Sequence, residues 1–170
     1  MKTIGICAGS FDPITYGHIW MIEKSAQLVD KLFVAVGINP SKKYYFSTEE
    51  RLNLIEESLK NNLKIEDFQK IKIIKLENQL LVNKAIELNA THLIRGIRDS
   101  KDFEYERQIQ IVNTKIAPQI ETVYFVTPPN LTEVSSSIVK SLVGYQGWES
   151  ITQQYVDPIV INAFKLKLEA

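Results

Sequence analysis

Apolar positions along this chain fall into two alternating patterns. Five short runs read as buried strands: Ile4-Gly-Ile-Cys-Ala8, Leu32-Phe-Val-Ala-Val-Gly-Ile38, Ile71-Lys-Ile-Ile-Lys-Leu76, Thr91-His-Leu-Ile94 and Thr122-Val-Tyr-Phe-Val126. The second is unbroken and rich in β-branched residues, as a parallel strand covered on both faces requires. Between the runs, apolar residues recur at helical spacing: Ile19, Ile22, Ala26 and Val29; Leu52, Ile55, Leu59 and Leu63; Leu81, Ala85 and Leu88; Tyr105, Ile109, Val112 and Ile116. Ser47-Thr-Glu-Glu50 is a capping box for the second helix. Asp99 or Ser100 caps the helix that Pro118 follows, and Ser135-Ser-Ser137 caps another that runs to about Leu142. Gly144 and Gly147 break that helix. The stretch from Trp148 reads as one or two more helices, with Asp157-Pro158 a cap followed by proline at the first helical position. Residues 60–70 are polar and irregular, and are expected to form a loop.

Five alternations of strand and helix predict an α/β fold: a doubly wound, five-stranded parallel sheet, Rossmann-like in its order 3-2-1-4-5, with C-terminal helices. The chain shows no repeat, low-complexity tract or linker, so residues 1–170 are expected to form a single domain. In such sheets the ligand lies beyond the carboxyl ends of the strands, where the order reverses. That crevice is expected between Gly9–His18 on one side and Arg95–Arg98 on the other.

Charge narrows the class of partner. Twenty basic residues balance twenty acidic ones, which argues against a nucleic-acid groove but leaves room for a small phosphorylated ligand. The one cysteine, Cys7, sits in the first apolar run and reads as a small core residue. No apolar stretch reaches membrane-spanning length, and the first strand begins almost at Met1 without room for a signal peptide. A cytoplasmic location is expected.

Candidate chemistry concentrates in Gly-Ser-Phe-Asp-Pro-Ile-Thr-Tyr-Gly-His, residues 9–18. A strand, a glycine-marked turn and a helix start make an anion seat, with His18 in the helix's first turn. An ordinary βα connection with a surface histidine is the plainer reading. Neither G-x-G-x-x-G nor a Walker loop is present. Arg95 and Arg98 suit phosphate oxygens, although pairing with Asp99 or Asp102 would serve as well. Lys42 and Lys43 follow the neighbouring strand, so four cations converge on the crevice and point to a polyphosphate. No zinc-type spacing, H-E-x-x-H or G-x-S-x-G occurs, and His92 lies within a strand run.

The ordered blocks resemble the bacterial phosphopantetheine adenylyltransferases, nucleotidylyltransferases with a T-x-G-H motif. They are Gly9–His18, Asn-Pro-Ser-Lys-Lys (39–43), Phe-Ser-x-Glu-Glu-Arg (46–51), Leu-Ile-Arg-Gly-Ile-Arg (93–98), Asp-Phe-Glu-Tyr-Glu (102–106) and Val-Ser-Ser-Ser-x-Val-Lys (134–140). The resemblance implies transfer of an adenylyl group from ATP to 4′-phosphopantetheine, giving dephospho-coenzyme A and pyrophosphate with Mg²⁺. By resemblance His18 stabilises the transition state, with Lys42 and Arg98 as its catalytic partners. ATP would be bound by Ser10, Phe11, His18, Gly96, Ile97, Arg98, Glu106, Leu131, Thr132, Glu133, Val134, Ser135, Ser136 and Ser137. Phosphopantetheine would be bound by Ser10, Lys42, Leu81, Arg95 and Asn113. No protein metal site is expected. The resemblance further implies a homo-oligomer (a hexamer) inhibited by coenzyme A. Leu131 stands where family members carry tryptophan near the adenine, and Ser141 where they carry glutamate near the pantetheine chain. The stretch between about 60 and 71 is longer than usual. The alternatives are a nucleotidylyltransferase for another small phosphate acceptor and a non-catalytic nucleotide-binding module.

Overall fold

Successive side chains of a strand point to opposite faces of its sheet, and here that alternation sorts the apolar runs into two cores. On one face Cys7, Val34 and Ile94 join Ile22, Ile55 and Phe164; on the other Ile6, Phe33, Ala35 and Leu93 join Val82 and Ala85. The computed structural model describes residues 2–169. All five runs form strands: β1 (Ile4–Gly9), β2 (Lys31–Ile38), β3 (Ile71–Glu77), β4 (His92–Ile97) and β5 (Glu121–Val126). They make one parallel sheet ordered β3-β2-β1-β4-β5, as the alternation predicts. Its order reverses at β1, which pairs with β2 from Ile4↔Lys31 to Gly9↔Val36 and with β4 from Gly5↔His92 to Cys7↔Ile94.

The helices are α1 (Tyr16–Leu28), α2 (Thr48–Asn62), α3 (Ile65–Phe68), α4 (Leu81–Glu87), α5 (Ser100–Ile116), α6 (Ser136–Leu142), α7 (Trp148–Thr152) and α8 (Pro158–Leu168), with a 3₁₀ turn at Pro129–Leu131. Their starts follow the side-chain logic of the sequence. Ser47 Oγ accepts from Glu50 N while the Glu50 carboxylate takes Ser47 N. Asp99, Ser135 and Asp157 each accept a backbone N–H of their helix. Among the described residues no helix is long and apolar enough to cross a membrane.

Two expectations need correction. Residues 60–70 are mostly helical rather than a loop: α2 runs to Asn62 and α3 follows from Ile65. The polar Lys60-Asn-Asn triplet is the last turn of α2, where Asn62 Nδ2 bonds Ser58 O at 2.8 Å and Asp157 Oδ2 at 2.7 Å. Second, β4 does not stop at Ile94. It continues to Ile97, because pairing with β5 runs on to Ile97↔Val126, so Arg95 and Gly96 belong to the strand rather than to a loop.

The spacing of Tyr105, Ile109, Val112 and Ile116 holds in α5, but it does not mark a buried face. These residues are 61%, 39%, 50% and 41% exposed. The buried residue of α5 is Glu106, held over the sheet by a strand arginine. A polar tether has set the rotation of this helix and turned its apolar stripe outward.

Candidate active site

Gly9 closes β1, and the chain turns sharply at Phe11, whose φ of +46° lies in the left-handed region that a bulky residue seldom adopts. The ring pays back that strain by burial: it is 1% exposed and lies so close to Gly9 that a Cβ there would come within 3.1 Å of it. It meets the His18 imidazole edge to face at a centroid distance of 5.1 Å. Thr15 then caps α1, so His18 falls in the helix's first turn.

The His18 ring is placed from both ends. Thr15 N donates to Nδ1 at 3.1 Å, so in the neutral ring Nδ1 is the acceptor and the proton resides on Nε2. Burial lowers the pKa of the ring to about 4, with the Arg98 guanidinium adding to the effect. His18 is therefore neutral near pH 7, a hydrogen-bond donor through Nε2 rather than a cation. The same burial acts in the opposite direction on Cys7, whose thiol is pushed up to about 12 and so stays protonated.

His18 opens on a cavity of 310 Å³ at the carboxyl ends of β1 and β4, where the sheet order predicts a ligand. Of the ATP candidates, Ser10, His18, Gly96, Arg98, Glu106, Leu131, Val134, Ser135, Ser136 and Ser137 line it, together with Gly17 and the acceptor candidate Arg95. A Cβ on Gly17 would meet protein atoms only at 3.7 Å or more, so packing does not demand glycine there. The missing side chain leaves cavity space instead. Phe11, Ile97, Thr132 and Glu133 do not line the cavity. Phe11 supports His18 from behind, and Ile97 is buried.

The two arginines differ in freedom. Arg98 makes a two-pronged pair with Asp102, Nε to Oδ2 at 2.9 Å and Nη2 to Oδ1 at 3.2 Å, on the exposed rim. Solvated pairs of this kind contribute about 0–1 kcal/mol, so the guanidinium exchanges partners at little cost. Arg95 is bound on the strand: Nε and Nη2 go to the Glu106 carboxylate and Nη1 to Ala8 O at 3.1 Å. That leaves two of its five N–H groups for a ligand. Of the pairings with Asp99 or Asp102 weighed for the two arginines, Arg98 makes the one with Asp102, whereas Arg95 pairs with Glu106 instead.

Two further pockets adjoin. Ser10 and Lys42 line one of 440 Å³ with Gly37, Asn39 and Tyr44. Leu81, Arg95 and Asn113 line one of 180 Å³, with Glu106 and Tyr105. The acceptor candidates are thus split between two pockets: the first shares Ser10 with the His18 cavity, the second Ala8, Arg95 and Glu106. Lys43 is exposed and lines none of the three. His92 opens β4 rather than lying inside it, with Nδ1 2.8 Å from Thr91 Oγ1. Among the described residues no group of three or more His, Cys, Asp or Glu side chains could hold a metal ion. Both carboxylates at the His18 cavity, Asp102 and Glu106, are engaged by arginine.

Sequence reasoning passed over the residues that hold these walls together. Asp12, 2% exposed, accepts from Tyr45 N at 2.9 Å, Phe46 N at 2.8 Å and Lys140 Nζ at 2.9 Å. It ties the β1 turn both to the Lys42 loop and to α6. Ser136 Oγ, bonded to Pro13 O at 2.8 Å, repeats the link to α6. Arg51, 1% exposed, lies beneath Ser10 and Gly37. A signal for Arg51 was available: it stands four residues before Ile55 and eight before Leu59, on the inward stripe of α2. Asp12 had no such mark, because nothing local distinguishes it from a solvated turn aspartate.

Residues 6–142 match the Cytidylyltransferase-like family. A phosphopantetheine adenylyltransferase of Chromobacterium violaceum is 43% identical over 151 residues, 89% of this chain and 88% of that protein. One of Caldanaerobacter subterraneus subsp. tengcongensis is 42% identical over 168 residues, 98% of each. Among solved structures, a Plasmodium falciparum nicotinic acid mononucleotide adenylyltransferase complexed with NaAD matches with a TM-score of 0.70, over 99% of this chain and 96% of that one. At 19% identity that likeness concerns the fold alone. Relatives this similar over nearly the whole length, on the sheet order and T-x-G-H turn described, show that the chain belongs to the phosphopantetheine adenylyltransferase family.

Proposed function

We infer that the chain transfers the adenylyl group of ATP to 4′-phosphopantetheine, giving dephospho-coenzyme A and pyrophosphate. Family membership supplies the reaction. The observation that carries its assignment to this site is that two cavities meet at Ser10, one holding His18, Arg98 and Ser135–Ser137, the other Lys42. Two phosphorylated ligands bound in them would approach each other at the end of β1.

In this reading the acceptor phosphate attacks the α-phosphorus of ATP in line. It is already ionised, so no general base is needed, and rate comes from positioning and charge stabilisation. His18 Nε2–H donates to the α-phosphate, Arg98 leaves Asp102 for the departing phosphates, and Ser135–Ser137 offer hydroxyls and amides to them. Ser10 and Lys42 place the acceptor phosphate with Arg95, whose orientation Glu106 sets. Leu81 and Asn113 border the pantetheine arm. Gly96, Leu131 and Val134 form the nucleotide wall, with Phe11 behind His18, while Ile97, Thr132 and Glu133 stand outside the cavity and are left without a contact role. The donor set does not form a protein cage for Mg²⁺, since Asp102 and Glu106 are both paired. A Mg²⁺ ion would therefore be held chiefly by the nucleotide's phosphates and would offset their charge.

The test is pyrophosphate release from ATP with phosphopantetheine, beside nicotinamide mononucleotide and glycerol phosphate as competing acceptors. Release with phosphopantetheine alone is expected; preference for another acceptor, or no release, rejects the reading. Lys42→Ala is expected to raise KM for phosphopantetheine by about tenfold, the loss of one charge-assisted contact, with KM for ATP nearly unchanged. An equal rise in both would remove Lys42 from the acceptor side.

The same reading takes residues 1–170 as one catalytic domain of a cytoplasmic homo-oligomer, a hexamer inhibited by coenzyme A. The exposed apolar stripe of α5, Tyr105, Ile109, Val112 and Ile116, supports association. A monomeric mass by sedimentation velocity at assay concentration would overturn it.

A further inference from the structure

Arg51 is a buried charge without a counter-charge. Its Nη1 donates to Ser10 O at 2.7 Å and Gly37 O at 3.0 Å, and Nη2 to Thr48 Oγ1 at 3.2 Å. The Tyr44 ring covers the guanidinium, with Cζ 4.0 Å from the ring centroid. Nε has no partner, and among the described residues no carboxylate comes within ion-pair distance. Such a charge is costly to bury unless something offsets it. Lys140 and Arg95, the other cations behind this wall, each have a carboxylate.

Three of the groups touching Arg51, namely Ser10, Gly37 and Tyr44, line the 440 Å³ pocket that also holds Lys42. Tyr44 extends the contact: its hydroxyl donates to Gly37 O at 3.3 Å and accepts from Asn39 N at 2.9 Å. One guanidinium therefore joins the β1 turn, the end of β2 and the Lys42 loop into a single wall. A staple serving stability alone would not need a permanent charge, because a neutral donor satisfies a carbonyl as well.

We propose that Arg51 is a positioning residue for the phosphorylated acceptor, holding Ser10, Gly37 and Tyr44 as one wall of its pocket and adding an un-neutralised positive charge beneath a phosphomonoester dianion. The dianion is the missing counter-charge. Arg51 acts through its neighbours and does not touch the reacting atoms. The inference rests on the acceptor placement proposed above, and Lys42→Ala tests that placement separately.

The experiment measures KM for phosphopantetheine and for ATP, with melting temperature, in Arg51→Met, Arg51→Lys and Tyr44→Ala. Arg51→Met is expected to raise the acceptor KM by about tenfold or more and Arg51→Lys by about threefold, since lysine keeps the charge but not the fork. KM for ATP stays within about twofold in both. Tyr44 is half-buried and outside the two cores. Tyr44→Ala is expected to raise the acceptor KM about threefold even if neither Arg51 variant folds. A lowered melting temperature with both KM values unchanged, or equal rises in both, overturns the proposal, as does an unchanged acceptor KM in Tyr44→Ala when no Arg51 variant folds. If Lys42→Ala leaves the acceptor KM unchanged, the placement itself has failed. If Lys42→Ala raises it while these variants do not, only the role of Arg51 has.

Discussion

Replacing His18 by alanine is expected to lower kcat by about 10²–10³-fold, the effect of removing one preorganised donor to a developing charge. KM for ATP should move by no more than about threefold, because the rest of the nucleotide wall remains. The loss belongs to kcat because Nε2–H is already oriented before substrate arrives, by the Thr15 amide on Nδ1 and the Phe11 ring. A variant with near-normal turnover, or one whose loss is explained by unfolding, would remove His18 from the chemistry. Its protonation state is open to direct measurement, since the chain has two histidines. In the folded protein the His18 ring proton resonance should titrate near pH 4. The unfolded chain takes up this proton near pH 6.5, before the folded one does. His18 therefore withdraws stability as pH falls from 6.5 toward 4, and the alanine variant should lack that component. A titration midpoint near 6.5 in the folded enzyme would contradict the neutral-donor assignment.

Asp12→Asn is expected to cost about 3 kcal/mol of stability, measured by denaturant unfolding, because it breaks a buried ion pair while keeping the side chain's shape. The asparagine leaves Lys140 without a carboxylate and turns an N–H₂ toward an amide that now has no acceptor. Both half-sites should suffer, since Asp12 joins the turn before His18 to the Lys42 loop and to the helix beginning at Ser136. Turnover at low concentrations of either substrate should fall together. Burial favours the neutral acid at Asp12, yet Lys140 and the amides of Tyr45 and Phe46 outweigh it and hold the carboxyl below its ordinary value. The unfolded chain is thus protonated first. The contribution of Asp12 is complete above about pH 4 and is lost as pH falls through the lower folded value. The variant should show a shallower loss of stability below pH 4. A destabilisation under about 1 kcal/mol would mean that the hub carries little of the fold.

These two residues share one geometric problem. A turn that must present amides and a ring to phosphate cannot also bury an apolar side chain outward, so its rigidity has to come from behind. Phe11, Asp12 and Arg51 supply it with a ring, a carboxylate and a guanidinium, each nearly fully buried.

Short apolar runs alternating with stretches of helical spacing were sufficient for the five strands, their parallel order and the crevice at the end of β1. Caps at Ser47, Asp99, Ser135 and Asp157 were equally legible, because each is a contact between residues two or three apart. The Gly9–His18 turn and the cation-bearing segments stood out for the same reason: their chemistry is written in adjacent residues. The rest depended on partners distant in the chain. Arg95 pairs with Glu106 and thereby rotates α5, Asp12 finds Lys140 128 positions later, and Arg51 reaches back 41 positions to Ser10. The pattern along the chain determined which elements exist and at which end of the sheet a cavity opens. Only tertiary structure decided which charges are held and which are free for a ligand, since that follows from side chains the fold brings together and no local spacing records.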